Sequence, residues 1–329
     1  MEETFKAYLT SQKDGGVESA FVEFTLDQLD PGEVVIRVEY STVNYKDALS
    51  ATGAGRIIRR FPCIGGIDLA GVVESSQSPE FRPGDCVLVH GYGLGVTHHG
   101  GYAQKARVPA AWVVPLPQGF TTEAAMRYGT AGFTAALAVD RLERAGLTPE
   151  QGPVLVSGAT GGVGMVAIEI LAKRGYHVVA LTGKAQAEPV LRALGAREVL
   201  VRGQFEMTEK PLGPETYAGA IDNLGGATLA WLTRVMRYRG VIAAVGLAQG
   251  AELKTTVMPF ILRGVTLIGI DSVQCALEER RRLWQRLAAE WRCPTMEETC
   301  RCIDFLSLPE AFPVLIEGRI TGRTVVRLR

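Results

Sequence analysis

Apolar and polar residues alternate in short runs over the first third of the chain. The segments GEVVIRVEYSTVN (Gly32–Asn44), GIDLAGVVESS, DCVLVHGYG and YAQKARVPA are rich in β-branched residues. Pro31, Pro62, Pro83, Gly84, Pro109 and Pro117 mark the seams between such runs. A period of two puts alternate side chains on one face, so these runs predict strands, and short strands at this spacing predict an irregular β-barrel. The texture changes near Thr122. Residues 124–145 are alanine-rich and helical in pattern, with interruptions expected at Gly129 and Gly132.

Beyond that helix, strand and helix signals alternate. Strands are expected at Pro153–Ser157, His177–Leu181, Glu198–Val201, Ala218–Asp222, Gly240–Gly246 and Val265–Ile270. Helical patterns run from about Val163 to Lys173, up to Leu194, through Met236, and across Leu277–Trp291. Such βα alternation predicts a doubly wound parallel sheet. A helix at Leu308–Ile316 and a strand at Thr324–Leu328 follow. The expected fold is α/β: a β domain over residues 1–123, an inserted Rossmann domain over 124–299, and a return to the first domain over 300–329.

The parallel-sheet pattern opens on PVLVSGATGGVG (Pro153–Gly164), a strand, a glycine-rich turn and a helix start. Gly158, Gly161 and Gly164 recur every third residue. In a dinucleotide-binding turn the first glycine permits the tight bend, the second admits a pyrophosphate, and the third lets helix pack on strand. The amides of Gly162, Val163 and Gly164, with Thr160 beside them, then face the phosphates at the positive end of the helix dipole. An Asp or Glu about twenty residues on would hold a ribose 2′-hydroxyl. Here that strand ends Leu181-Thr182-Gly183-Lys184, with no carboxylate to repel a 2′-phosphate. A hydroxyl, a glycine amide and a cation suit NADPH, with Thr182, Gly183 and Lys184 on the phosphate. Arg202, just after the next strand, is a second candidate on the adenosine side, its alternative being a plain surface arginine.

Composition narrows the class. Of 329 residues, 47% are hydrophobic, enough to bury large cores in about two domains. The 35 basic and 35 acidic residues cancel, which argues against nucleic-acid or membrane binding driven by bulk charge. No apolar run approaches the roughly eighteen residues that span a bilayer. The segment MEETFKAYLTSQKDGG lacks the apolar core of a signal peptide, so a cytoplasmic location is expected. Cys63, Cys86, Cys275, Cys293, Cys300 and Cys302 form no CxxC pair, and read as reduced thiols rather than a zinc knuckle.

The order of barrel, Rossmann domain and short return resembles the medium-chain dehydrogenase/reductase superfamily over essentially the whole chain. Several runs narrow the likeness: STVNYKDAL (Ser41–Leu49), GRIIRRFPCIGGIDLAG (Gly55–Gly71), HGGYAQKARV (His99–Val108), GTAGFTA (Gly129–Ala135), TTVMPFILRGV (Thr255–Val265) and GRTVVR (Gly322–Arg327). Together they are similar to the zinc-free, quinone-oxidoreductase-like branch, and most of all to its NADPH-dependent acrylyl-CoA reductases. The resemblance implies a GroES-like barrel as catalytic domain. It also implies that Tyr45, Gly246, Leu247, Ile261 and Ser272 line the nicotinamide and its ribose. In the zinc-dependent alcohol dehydrogenases of the superfamily a Cys ligand aligns with Tyr45, and a Gly-His-Glu run aligns with Gly66-Ile67-Asp68. Isoleucine cannot ligate metal and a phenol is a poor zinc ligand, so no metal is expected. Adjacent His98 and His99 in a glycine-rich loop are read as surface or supporting histidines.

Without a Lewis acid, the acceptor must be activated by conjugation and hydrogen bonds. An α,β-unsaturated acyl-CoA fits: hydride goes to Cβ, negative charge develops on the thioester oxygen, and Cα takes a proton. Tyr45 is the candidate donor to that oxygen or source of that proton, and Asn44 would orient Tyr45 or a carboxamide. Asp47 and Asp68 are expected to hold loop and sheet by hydrogen bonds. Related enoyl thioester reductases carry a proton-donating Tyr in the following loop, here Thr52-Gly53-Ala54-Gly55-Arg56, which has none. Either Tyr45 or water then supplies the proton. Coenzyme A carries phosphates, which makes Arg56, Arg59, Arg60 and Arg323 candidates for its tail. The alternatives are an NADPH:quinone oxidoreductase on the same fold and, from another class, a non-catalytic NADPH-binding module. Val265–Ile270 alternates too poorly for a solvated edge, and the superfamily commonly joins sheet edges, so a homodimer through that strand is expected.

Overall fold

A computed structural model describes residues 3–329 of the chain. Two compact units emerge. One takes in residues up to 130, together with Val273–Ala289 and Thr299–Arg329; the other is Ala131–Ser272 with Glu290–Glu298.

The first unit is antiparallel. Val34–Thr42 sits at the centre of a sheet, flanked by Asp68–Ser76 and, on its other side, by Thr324–Arg327 and Lys105–Val108. A smaller sheet orders Gly16–Thr25, Thr4–Lys13 and Cys63–Ile64. Residues near 104 lace the two sheets together: Gln104 N donates to the Lys6 carbonyl at 3.1 Å, and Val38 N donates to the Gln104 carbonyl at 3.0 Å. Inward residues of both sheets, among them Phe5, Ile36, Val38 and Leu69, share one core with Tyr102 and with Phe305, Leu308, Phe312 and Val326. The C-terminal strand thereby completes the barrel sheet, with Val325 opposite Thr42 and Arg327 opposite Tyr40.

In the second unit six parallel strands run in the order Glu198–Val201, Val178–Thr182, Val154–Ser157, Tyr217–Asp222, Met236–Ala244, Thr266–Gly269. The three in the middle of that order with the fullest apolar runs are buried at every position, as expected of a parallel sheet covered on both faces. Strand order reverses between Val154–Ser157 and Tyr217–Asp222, the switch point at which such sheets bind ligands. Register aligns Leu181 with Ser157 and Ile221 with Val156, so Ser157, Thr182 and Asp222 finish at the same end of the sheet.

The helix Thr122–Arg144 breaks once. Gly129 takes φ 51° and ψ −152°, while Gly132, expected to interrupt it too, stays helical. A side chain at position 129 would come within 2.7 Å of Asp68 Oδ2 and 2.8 Å of Arg323 Nη2.

Candidate active site and cofactor cradle

The glycine-rich turn is built as its spacing predicts. Gly158 takes φ +59°, a left-handed conformation that costs other residues free energy. A Cβ at Gly164 would lie 2.5 Å from the Gly158 carbonyl oxygen, so the helix Gly162–Lys173 approaches the turn only because position 164 has none. Gly161 is the N-cap and no side chain caps this helix, which leaves the first-turn amides of Gly162, Val163 and Gly164 for a ligand. Thr160 is buried beside them.

Second and third strands end in a polar cluster. The Lys184 amide donates to Thr182 Oγ1 at 3.0 Å, and the Arg202 amide donates to the Thr182 carbonyl at 2.7 Å. The Arg202 guanidinium lies against Gly183, where an added Cβ would meet it at 3.2 Å. Thr182, Gly183, Lys184 and Arg202 are therefore gathered at one place, two of them cationic. Partial burial holds the Lys184 ammonium below its ordinary pKa.

The fourth strand contributes a network that the sequence reading passed over. Ser157 Oγ donates to Asp222 Oδ1 at 2.6 Å and accepts from the Asn223 amide at 2.9 Å. Asn223 Nδ2 donates to the Ser157 carbonyl at 2.7 Å, and the Gly225 amide donates to Asp222 Oδ2 at 2.7 Å. Burial raises the Asp222 carboxyl pKa. Gly246 follows the fifth strand, close to Asn223: a Cβ there would stand 2.5 Å from the Asn223 carbonyl oxygen. Leu247 and Ile261 are exposed, at 65% and 73%, and Ser272 is buried with its hydroxyl 2.9 Å from that of Thr134. NADPH is tested here by the cradle that Gly164 leaves open, the uncapped helix start, the two cations by Gly183 and the partnerless Asn223 Oδ1. These residues fit it.

In the barrel unit, Asn44 lies two residues past the central strand and caps the helix Tyr45–Thr52 reciprocally with Asp47. Its Nδ2 lies 2.9 Å from Thr42 Oγ1, 3.0 Å from Asp47 Oδ2 and 2.8 Å from Asp68 Oδ2, so two hydrogens serve three acceptors. Its Oδ1 accepts from Arg323 Nη1 at 2.9 Å. Asp47 also accepts from the amides of Asn44 and Ile67. Asp68, fully buried, accepts from the Thr42 hydroxyl and from the amide and hydroxyl of Thr130, with Arg323 Nη2 3.9 Å away. Burial, and then the Asp68 charge, push the Asp47 carboxyl up to about 7. Tyr102 donates to the Thr42 carbonyl at 2.8 Å, and burial followed by the Asp47 charge raises its phenol well above the usual range. Tyr45 opens the helix and is 44% exposed.

Comparison with known proteins now decides the family. The family models described as Alcohol dehydrogenase GroES-like domain and Zinc-binding dehydrogenase match residues 30–118 and 162–289. An acrylyl-CoA reductase of Ruegeria pomeroyi is 46% identical over 316 residues, 96% of each chain. This chain belongs to the medium-chain dehydrogenase/reductase superfamily. A crystal structure of the superfamily's E. coli YhdH with bound NADPH is 44% identical, with TM-score 0.95, covering 98% of this chain and 100% of that one. In Bacillus subtilis, YhfP is described as a putative quinone oxidoreductase and is 44% identical over the full length of both chains. Its crystal structure carries NAD, at TM-score 0.96 and covering 99% of this chain and 100% of that one.

Within that superfamily frame, one substrate candidate lands elsewhere than expected. Arg323 is 4% exposed, and its guanidinium holds Asn44, Asp68 and the Arg127 carbonyl rather than facing outward for a coenzyme A tail. Arg60 forks onto Asp30, which also accepts from the His99 amide. Arg60 is itself exposed, its side chain at 49% beside Asp30. Arg56 and Arg59 are exposed. Asn44 does not bond Tyr45, since its amide is committed to the carboxylates and Arg323. His98 and His99 are buried structural residues: His98 Nε2 donates to the Arg107 carbonyl at 2.8 Å, and His99 Nδ1 accepts from the Ile64 amide at 3.0 Å. Among the described residues, no three or more His, Cys, Asp or Glu side chains converge as a metal site. The missed Asp222-Asn223 pair had a signal: two polar residues ending a fully apolar strand just before two glycines.

Proposed function

We infer that this chain reduces the carbon–carbon double bond of a short α,β-unsaturated acyl-CoA with NADPH, acrylyl-CoA to propionyl-CoA being the reference reaction. The full-length identity to an acrylyl-CoA reductase carries the reading, and the carboxylate-free cluster of Thr182, Gly183, Lys184 and Arg202 supports the phosphorylated cofactor. When bound, NADPH supplies the hydride for Cβ.

The chain's own residues do the rest. Lys184, Arg202 and the Thr182 hydroxyl neutralise the 2′-phosphate by charge-assisted hydrogen bonds. The amides of Gly162, Val163 and Gly164 hold the pyrophosphate, and Gly246, Leu247, Ile261 and Ser272 frame the nicotinamide side. Tyr45 presents its hydroxyl to the thioester oxygen as charge develops there, or passes its proton towards Cα. Asn44 acts through backbone placement: by capping the helix that Tyr45 opens, it sets where that phenol stands. Exposed Arg56 and Arg59 meet the phosphates of coenzyme A.

A second reading, NADPH:quinone oxidoreductase, rests on the Bacillus subtilis relative. Initial rates with acrylyl-CoA, longer enoyl-CoA esters and benzoquinone, followed by NADPH oxidation, test both. Turnover of the thioester well above that of the quinone supports the first reading. The reverse order installs the second.

The oligomer is a homodimer through the outer edge of Thr266–Gly269, a strand paired on one side only within the sheet, near exposed Val257 and Leu262. Leu267→Pro blocks edge pairing, and sedimentation then gives monomers. A wild-type monomer would defeat this arrangement.

A further inference from the structure

The Asn223 side chain has one idle atom. Its Nδ2 is spent on the Ser157 carbonyl at 2.7 Å, which settles the amide's orientation, because the opposite assignment would set two oxygens against each other. Oδ1 is then buried with no donor. Everything around it is satisfied: Ser157 Oγ both donates and accepts, and both Asp222 oxygens accept. A buried acceptor without a donor costs free energy, so a lone exception inside a fully bonded network points to a missing partner.

Its position says which partner. Asn223 follows the strand Tyr217–Asp222, on the far side of the switch point from Thr182, Lys184 and Arg202. It is wedged between two glycines of the cradle: a Cβ at Gly158 would meet Asn223 Cβ at 3.1 Å, and one at Gly246 would meet the Asn223 carbonyl oxygen. A dinucleotide lies across that switch point with its two halves on opposite sides. With the 2′-phosphate at Lys184, the half nearest Asn223 is the nicotinamide nucleoside. A carboxamide oxygen repels phosphate and accepts from hydroxyl.

We propose that Asn223 Oδ1 accepts a hydrogen bond from a hydroxyl of the nicotinamide-side ribose, making Asn223 a cofactor-positioning residue. This rests on the NADPH reading above, and the two can fail separately. Wild-type protein that binds no NADPH sinks the functional reading itself.

The test is equilibrium binding, by titration calorimetry, of NADPH, of 2′-phosphoadenosine 5′-phosphate and of the 3-acetylpyridine analogue of NADP, to wild type, Asn223→Ala and Asn223→Thr. Asn223→Ala should weaken NADPH by about tenfold, the worth of one neutral hydrogen bond, and leave the adenosine fragment unchanged. Asn223→Thr keeps a hydroxyl, which can donate to the Ser157 carbonyl and still accept from a ribose hydroxyl, and should retain more of the NADPH affinity than Asn223→Ala. The acetylpyridine analogue lacks the carboxamide N–H but keeps the ribose, so it should lose as much as NADPH does. Loss confined to NADPH would assign the contact to the carboxamide instead and overturn the ribose assignment. Unchanged NADPH affinity in Asn223→Ala, equal loss in the Ala and Thr variants, or equal loss of the adenosine fragment in a folded variant overturns the proposal outright. Should Asn223→Ala not fold, the Thr variant decides by retaining or losing NADPH.

Discussion

Arg323 Nη1 donates to Asn44 Oδ1 at 2.9 Å across 279 residues of sequence. The bond ties a strand near the end of the sequence to the turn that launches Tyr45, and it sets a cation beside Asn44 and Asp68. Removing one partner of a buried charge pair leaves the other uncompensated, a loss of roughly 3–5 kcal/mol. Arg323→Ala should therefore lower unfolding free energy by about that amount in urea titrations. Arg323→Lys should recover only part of it, because an ammonium cannot fork between Asn44 and the Arg127 carbonyl. A loss below about 1 kcal/mol for the alanine variant would show that the pair holds little.

Asp47 supplies a pH signature. Its carboxyl is pushed up to about 7 by burial and then by Asp68, whereas in an unfolded chain it titrates near 4. Between those values the native state binds the proton more tightly than the unfolded state does. Asp47 thus contributes stability that is fully present below about pH 4 and lost as pH rises through about 7. Asp47→Asn removes the titration. The urea midpoint of wild type relative to this variant should fall from pH 5 to pH 7 and level off above. A flat difference would mean that Asp47 is ionised throughout.

Cofactor choice turns on Lys184. Lys184→Glu places a carboxylate where the 2′-phosphate would lie, so the KM for NADPH should rise by at least about tenfold while that for NADH falls or holds. KM values unchanged for both cofactors would remove Lys184 from the phosphate site.

Tyr45 is the cleanest test of mechanism, because its partial exposure separates chemistry from stability. Tyr45→Phe should shift unfolding free energy by no more than about 0.5 kcal/mol. Yet kcat should fall by about a hundredfold with little change in KM, the pattern of a group that acts in the transition state. Full kcat with acrylyl-CoA would assign the proton to water.

Most of the cradle could be read from the amino-acid order alone. Gly158 and Gly164 stand where backbone sign and close approach exclude a Cβ, requirements set within a few residues of chain. Local periodicity likewise foretold the strand Glu198–Val201 and the helix Leu308–Ile316 with their observed limits. The absence of a carboxylate after Leu181 was equally plain. Arg323, Arg60 and Asn223 were not legible, since an arginine in a glycine-rich run looks the same whether it faces water or a buried Asp68.

Hydrophobic period, turn chemistry and glycine spacing act over one or two turns of chain, and they determined the strands, the order of the two folds and the dinucleotide turn. Which polar side chains end up inside, and which acceptor is left without a donor, depends on groups brought together from distant segments. Tertiary packing alone placed Arg323 on Asn44 and left Asn223 Oδ1 unmatched, because desolvation and hydrogen-bond pairing are settled only when those segments meet.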